Sequence, residues 1–93
     1  MIRSFRNTDT EKVWNRDHVP AFGPELQRAA QKKLRLLNAA TQLNSLRVPP
    51  GNRLEKLAGN RAGQHSIRIN DQYRICFIWL DNGADEVEIT DYH

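Results

Sequence analysis

Residues 65–93 read HSIRINDQYRICFIWLDNGADEVEITDYH, three strand-like runs separated by two tight turn signals. The middle run, 72–80, places Tyr73, Ile75, Phe77 and Trp79 on one face and Arg74, Cys76, Ile78 and Leu80 on the other. A strand that is apolar on both faces belongs inside a sheet, not at its edge. One charge interrupts that apolarity, Arg74. Burying a guanidinium is costly unless something polar or anionic meets it, so the rest of the chain must supply a partner.

Working outward, 93 residues suit one domain, 1–93, with a modest core. No apolar run approaches membrane-spanning length, and the opening MIRSFRNTDTEK lacks the apolar region of a secretory signal. The single cysteine, Cys76, cannot form an intrachain disulfide and reads as a small buried hydrophobe. A reducing cytoplasm fits these features. The net charge of +3 is unevenly spread: residues 1–70 carry 13 basic against five acidic side chains, and residues 71–93 carry one against six. Ten of the 14 basic residues are arginine, which suits bidentate phosphate contacts. Such a body favours a nucleic-acid partner, and it equally describes an ordinary solvated basic surface.

The segment 1–5 alternates weakly and suits an opening strand. Thr8 or Asp9 can cap a helix through Val13 and Trp14, with Glu11 completing a capping box, and the helix ends before Pro20. The clearest helix runs from Pro24 to about Leu43. Its core face carries Leu26, Ala29, Ala30, Leu34, Leu37 and Ala40, and Arg28, Lys32 and Arg35 lie on the opposite side, either as a solvated face or as a rail for a phosphate backbone. Residues 47–52, with two prolines and a glycine, form a loop. A short strand is expected at 53–57, a flexible turn at 59–63, and strands at 64–69, 72–80 and 85–92. Asn82-Gly83 signals the last hairpin.

Two helices followed by a meander of strands predict an α+β fold, with both helices packed on one face of a mainly antiparallel sheet of four to five strands. The other face would display Arg68 and Arg74. No metal site is expected: His18, His65 and His93 are far apart and no Cys-x-x-Cys or His-x-x-x-His spacing occurs. No cofactor motif stands out either. His18 and His65 read as structural, and Trp14 and Trp79 as core. The ending Asp91-Tyr92-His93 places a histidine beside an aspartate, which can raise its pKa; a loose tail is the plainer reading.

The opening MIRSF, the segment RLEKLAGNRAGQHSIRINDQYRICF and the closing ITDYH together resemble the HigB-type toxins of bacterial toxin–antitoxin modules, in the RelE/ParE superfamily. The resemblance runs over nearly the whole length. It implies a compact α+β ribonuclease that enters the A site of the 70S ribosome and cuts mRNA there. It further implies a small helix-turn-helix antitoxin of HigA type that silences the toxin and, in complex with it, binds operator DNA. By position it assigns Arg74 to the scissile phosphate, Tyr92 to a base, and His93, with Asp91 beside it, to acid–base chemistry. The better-known members carry a histidine and a lysine ahead of the glycine-asparagine-arginine turn; here Glu55 and Ala58 stand in those places.

Metal-free RNA cleavage needs a base for the 2′-hydroxyl, a cation for the developing phosphorane charge and an acid for the 5′-oxygen. Glu55, Arg74 and His93 can fill these roles in that order, whereas Glu55 could instead pair with Arg53 or Lys56 at the surface. Arg53, Arg61 and Arg68 are candidate phosphate contacts, which position a substrate without reading its sequence. Two rivals remain on the same fold: a ParE-like gyrase inhibitor, and a non-catalytic protein that only binds RNA or its antitoxin.

Overall fold

The computed structural model describes residues 1–91. Helices α1 (Thr8–Trp14) and α2 (Gly23–Ala39) precede strands β1 (Glu55–Lys56), β2 (His65–Arg68), β3 (Tyr73–Leu80) and β4 (Gly83–Asp91). The strands form one antiparallel sheet in sequence order. The architecture is therefore the expected α+β one, and β3 is an inner strand. The opening segment joins the sheet through isolated parallel bridges, Ile2 to Ala84 and Phe5 to Val87, and does not form a full strand.

Helix α1 is capped by Asn7, whose side chain accepts from the Thr10 N–H at 2.9 Å, and not by Thr8 or Asp9. The cap lies one residue earlier than expected, and Thr10, whose N–H it takes, also anchors the last strand. The Thr10 side chain is fully buried, and its hydroxyl accepts the Ile89 N–H at 3.0 Å. That hydrogen bond and those of Met1, Arg3, Ser4 and Arg6 with Ala84 and Val87 cover the outer edge of β4. An uncovered edge would invite pairing with other chains.

Helix α2 buries Ala30, Leu34 and Leu37 against Ile67, Ile75, Phe77, Val87 and Ile89. Burying a side chain such as Phe77 contributes roughly 1.5–3 kcal/mol. The helix stops at Ala39, short of Leu43, since Ala40 turns extended. The chain then doubles back through a 3-10 turn, Leu43–Arg47, that returns Leu46 to the core. Leu26 and Ala29 are only half-buried, as are Trp14 and Trp79, which pack on the core from its margin.

The strand expected at 53–57 shrinks to Glu55–Lys56, since Arg53 adopts a left-handed conformation (φ 45°). In the last hairpin Asp81 and Asn82 are the two loop residues, both at positive φ, and Leu80 pairs with Gly83. Gly83 thus opens β4. A Cβ there would lie 2.6 Å from the Arg3 guanidinium, so a larger residue would make that side chain shift. Between Asp85 and Glu88 β4 carries one residue more than β3, a bulge with Glu86 at φ 53° and its N–H on the Ser4 hydroxyl. Among the described residues no helix is long and apolar enough to cross a membrane.

Candidate active site

The sheet face turned away from the helices is built around Arg74. Strand alternation sends Arg74 and Cys76 to that face, and β2 contributes Ser66 and Arg68 beside them. Arg74 is 7 % exposed, and Ser66 and Cys76 are fully buried. A guanidinium at this depth must be hydrogen-bonded, and the fold supplies acceptors. Arg74 Nε donates to Ser66 Oγ at 2.7 Å, and Nη2 donates to the Arg53 carbonyl at 2.6 Å and to the Ser66 carbonyl at 3.4 Å.

Glu55 reaches the same cation. Its Oε1 lies 3.9 Å from Arg74 Nη2, and its side chain is half exposed. Register explains the meeting: Glu55 stands opposite Ser66, the residue that holds Arg74. Sequence separation had left Glu55 free to pair with Arg53 or Lys56; the sheet brings it to Arg74 instead. Arg53 offers its backbone carbonyl to the site.

The other candidates are distributed around this centre. Arg68 pairs with Asp71 across the turn that follows β2. Arg61 Nη1 donates to Glu88 Oε1 at 3.0 Å and to Gln64 Oε1 at 3.1 Å, which ties the 59–63 turn to β4. Arg6 approaches the same carboxylate at 3.9 Å. Arg61 is therefore engaged in the fold and does not simply project into solvent. Asp91, at the exposed end of β4, accepts from Gln72 Nε2 at 2.9 Å. Its predecessor Thr90 stands directly opposite Arg74. Tyr92 and His93 themselves lie outside the described residues.

Burial pushes the Cys76 thiol above its ordinary pKa, opposed in part by the cations Arg61 and Arg74. This is the environment of an inert core thiol, not of a nucleophile. His65 lies at the core margin, stacked on Phe77 with centroids 6.3 Å apart. Among the described residues no group of three or more His, Cys, Asp or Glu could hold a metal ion.

Two residues of the site were not foreseen from sequence. Ser66 was legible, because a serine on the Arg74 side of β2 is a small polar group with nowhere to go but the neighbouring strand. Asn52 was not: within a proline–glycine loop it reads as a turn residue, yet it is completely buried.

Comparison with known proteins places this geometry. Residues 3–93 match the model of the HigB-like toxins, described as the RelE-like toxin of the type II toxin–antitoxin system HigB. The chain belongs to that family. A curated relative, Toxin HigB-1 of Vibrio cholerae serotype O1, is 49% identical over 85 residues, covering 90% of this chain and 90% of the relative. An uncharacterized protein of Haemophilus influenzae is 37% identical over 62 residues, 67% of this chain and 61% of that one. A YoeB–YefM complex from Staphylococcus aureus contains a chain that superposes with a TM-score of 0.63 at 17% identity, covering 100% of this chain and 98% of the other. At that identity the likeness speaks for the fold alone. A HigB-like toxin with the RelE-like fold thus carries its buried arginine on the sheet face opposite the helices.

Proposed function

We propose that this HigB-like toxin is an endoribonuclease that cuts mRNA on the translating ribosome. The observation that carries the reading is the meeting of Arg74 and Glu55 on one sheet face, 3.9 Å apart, with Thr90 of β4 directly opposite Arg74. Glu55 is the base that takes the 2′-hydroxyl proton. The 2′-oxygen attacks the adjacent phosphorus, and Arg74 balances the charge of the phosphorane as it forms. His93 protonates the departing 5′-oxygen, leaving a 2′,3′-cyclic phosphate and a 5′-hydroxyl. Tyr92 positions a base, and Asp91 supports the histidine.

Arg53 and Arg68 flank this centre as phosphate contacts, with Arg61 farther along the face. The family supports a protein antitoxin as partner, of the HigA-like helix-turn-helix kind, through which the complex reaches operator DNA. The setting is cytoplasmic, and the whole chain, 1–93, acts as one toxin domain.

The test is cleavage mapping of a message on translating ribosomes with wild type, Arg74→Ala and a chain lacking His93. Cuts made by wild type and abolished in both variants are expected. Translation or growth blocked without any cut would overturn the nuclease reading in favour of gyrase inhibition or simple binding.

A further inference from the structure

The hydrogen bonds that hold Arg74 can be followed one shell outward. Its Nη2 donates to the carbonyl of Arg53, which is directed at the sheet by a left-handed backbone at φ 45°. A non-glycine residue adopts that conformation only where its surroundings impose it. The neighbour of Arg53, Asn52, is buried and anchored through its side-chain amide. Its buried Nδ2 donates to the carbonyls of Leu46 at 3.2 Å and Val48 at 3.3 Å, and its Oδ1 accepts from Lys33 Nζ of α2 at 2.5 Å. Its own N–H donates to Pro49 O, and that of Arg53 to Pro50 O. One amide therefore ties a helix and a loop into a single block that presents a carbonyl to Arg74. Ser66 in turn offers its hydroxyl to Nε and its carbonyl to Nη2.

We infer that Ser66 and Asn52 are positioning residues for Arg74: Ser66 directly, and Asn52 through the Arg53 carbonyl, fix the direction in which the guanidinium meets a phosphate. Acceptors from two residues on Nε and Nη2 leave the guanidinium plane little freedom, and a pre-aimed cation spends no reorganisation when phosphorane charge appears. Arginine side chains otherwise retain large rotamer freedom. The catalytic half of this inference rests on the nuclease reading above. Its geometric half does not.

The experiment therefore has two arms. In the first, the Nε–H signal of Arg74 is assigned by its absence from an Arg74→Lys sample, and its exchange with water is followed by NMR. Wild type is expected to show a protected signal, Ser66→Ala to lose the protection, and Asn52→Ala to shift the signal. In the second arm, cleavage on ribosomes is expected to fall on the order of 10–100-fold in kcat for both variants, with KM nearly unchanged, as misdirected groups do. Equal protection in wild type and Ser66→Ala, or unaltered kcat in both variants, overturns the inference. Should Asn52→Ala not fold, Lys33→Met removes one bond to the same amide and reads the same loop. If wild type proves not to cut RNA at all, the catalytic half falls and the NMR arm alone decides the clamp.

Discussion

Arg61 and Glu88 meet at 3.0 Å on the sheet face that carries Arg74, joining the turn before β2 to the middle of β4. Their side chains are 29% and 19% exposed, so solvent screens the pair only in part. Removing Arg61 should therefore act first on the fold. Arg61→Ala is expected to cost about 0.5–1 kcal/mol in chemical denaturation. A double-mutant cycle with Glu88→Ala should show coupling of that order. If Arg61 also touches RNA, the same variant flattens the salt dependence of binding; an unaltered slope assigns it to the fold alone.

Thr10→Val keeps the shape of the side chain and removes its hydroxyl. The Ile89 N–H then stays buried without its acceptor. A stability loss of roughly 1–3 kcal/mol is expected, measured as a lower urea midpoint with an unchanged slope. A loss within a few tenths of a kcal/mol would mean that another group takes the N–H.

Burial, and then the charge of Lys56, lowers the pKa of His65 below its ordinary value of 6.5. Its Nδ1 is buried without a hydrogen-bond partner among the described residues. Because the folded value is depressed, the unfolded chain binds the proton more readily. Stability is therefore full above 6.5 and lost as pH falls through it. Denaturation midpoints should drop between pH 7.5 and 5, and the drop should shrink in His65→Gln. An equal drop in both proteins would assign the pH dependence elsewhere.

Cys76 is fully buried and its thiol pKa is raised. A thiol reagent at pH 8 is expected to label the native protein far more slowly than the denatured protein. Labelling at comparable rates would mean that the Arg74 face opens readily.

The fold was legible because its signals are local. Asn82-Gly83 marked the last hairpin, alternation through 72–80 marked an inner strand, and the spacing of Ala30, Leu34 and Leu37 set the face of α2. The misjudged ends depend on distant contacts. Thr8 and Asp9 fit a cap by spacing, yet Asn7 is the cap, and the Thr10 hydroxyl holds Ile89, 79 positions away. Leu43 continued the helical pattern, although the chain must turn back for Leu46 to reach the core. At the candidate site the alternation of β3 exposed Arg74 as an anomaly, and Glu55 was a possible partner among several. What pins Arg74 was hidden, since Asn52 owes its role to Lys33, Leu46 and Val48, residues that only the tertiary structure gathers.

The covering of the β4 edge bears on when the molecule can assemble. The bridges at Ile2 and Phe5 and the Thr10–Ile89 bond join the earliest residues to the last strand. Contacts this distant in sequence close late and slowly. While β4 remains inside the ribosome synthesising it, α1 and the opening segment have no sheet edge to dock on, and Thr90 has not come opposite Arg74. A newly made molecule therefore completes the sheet around Arg74 only once that strand has emerged.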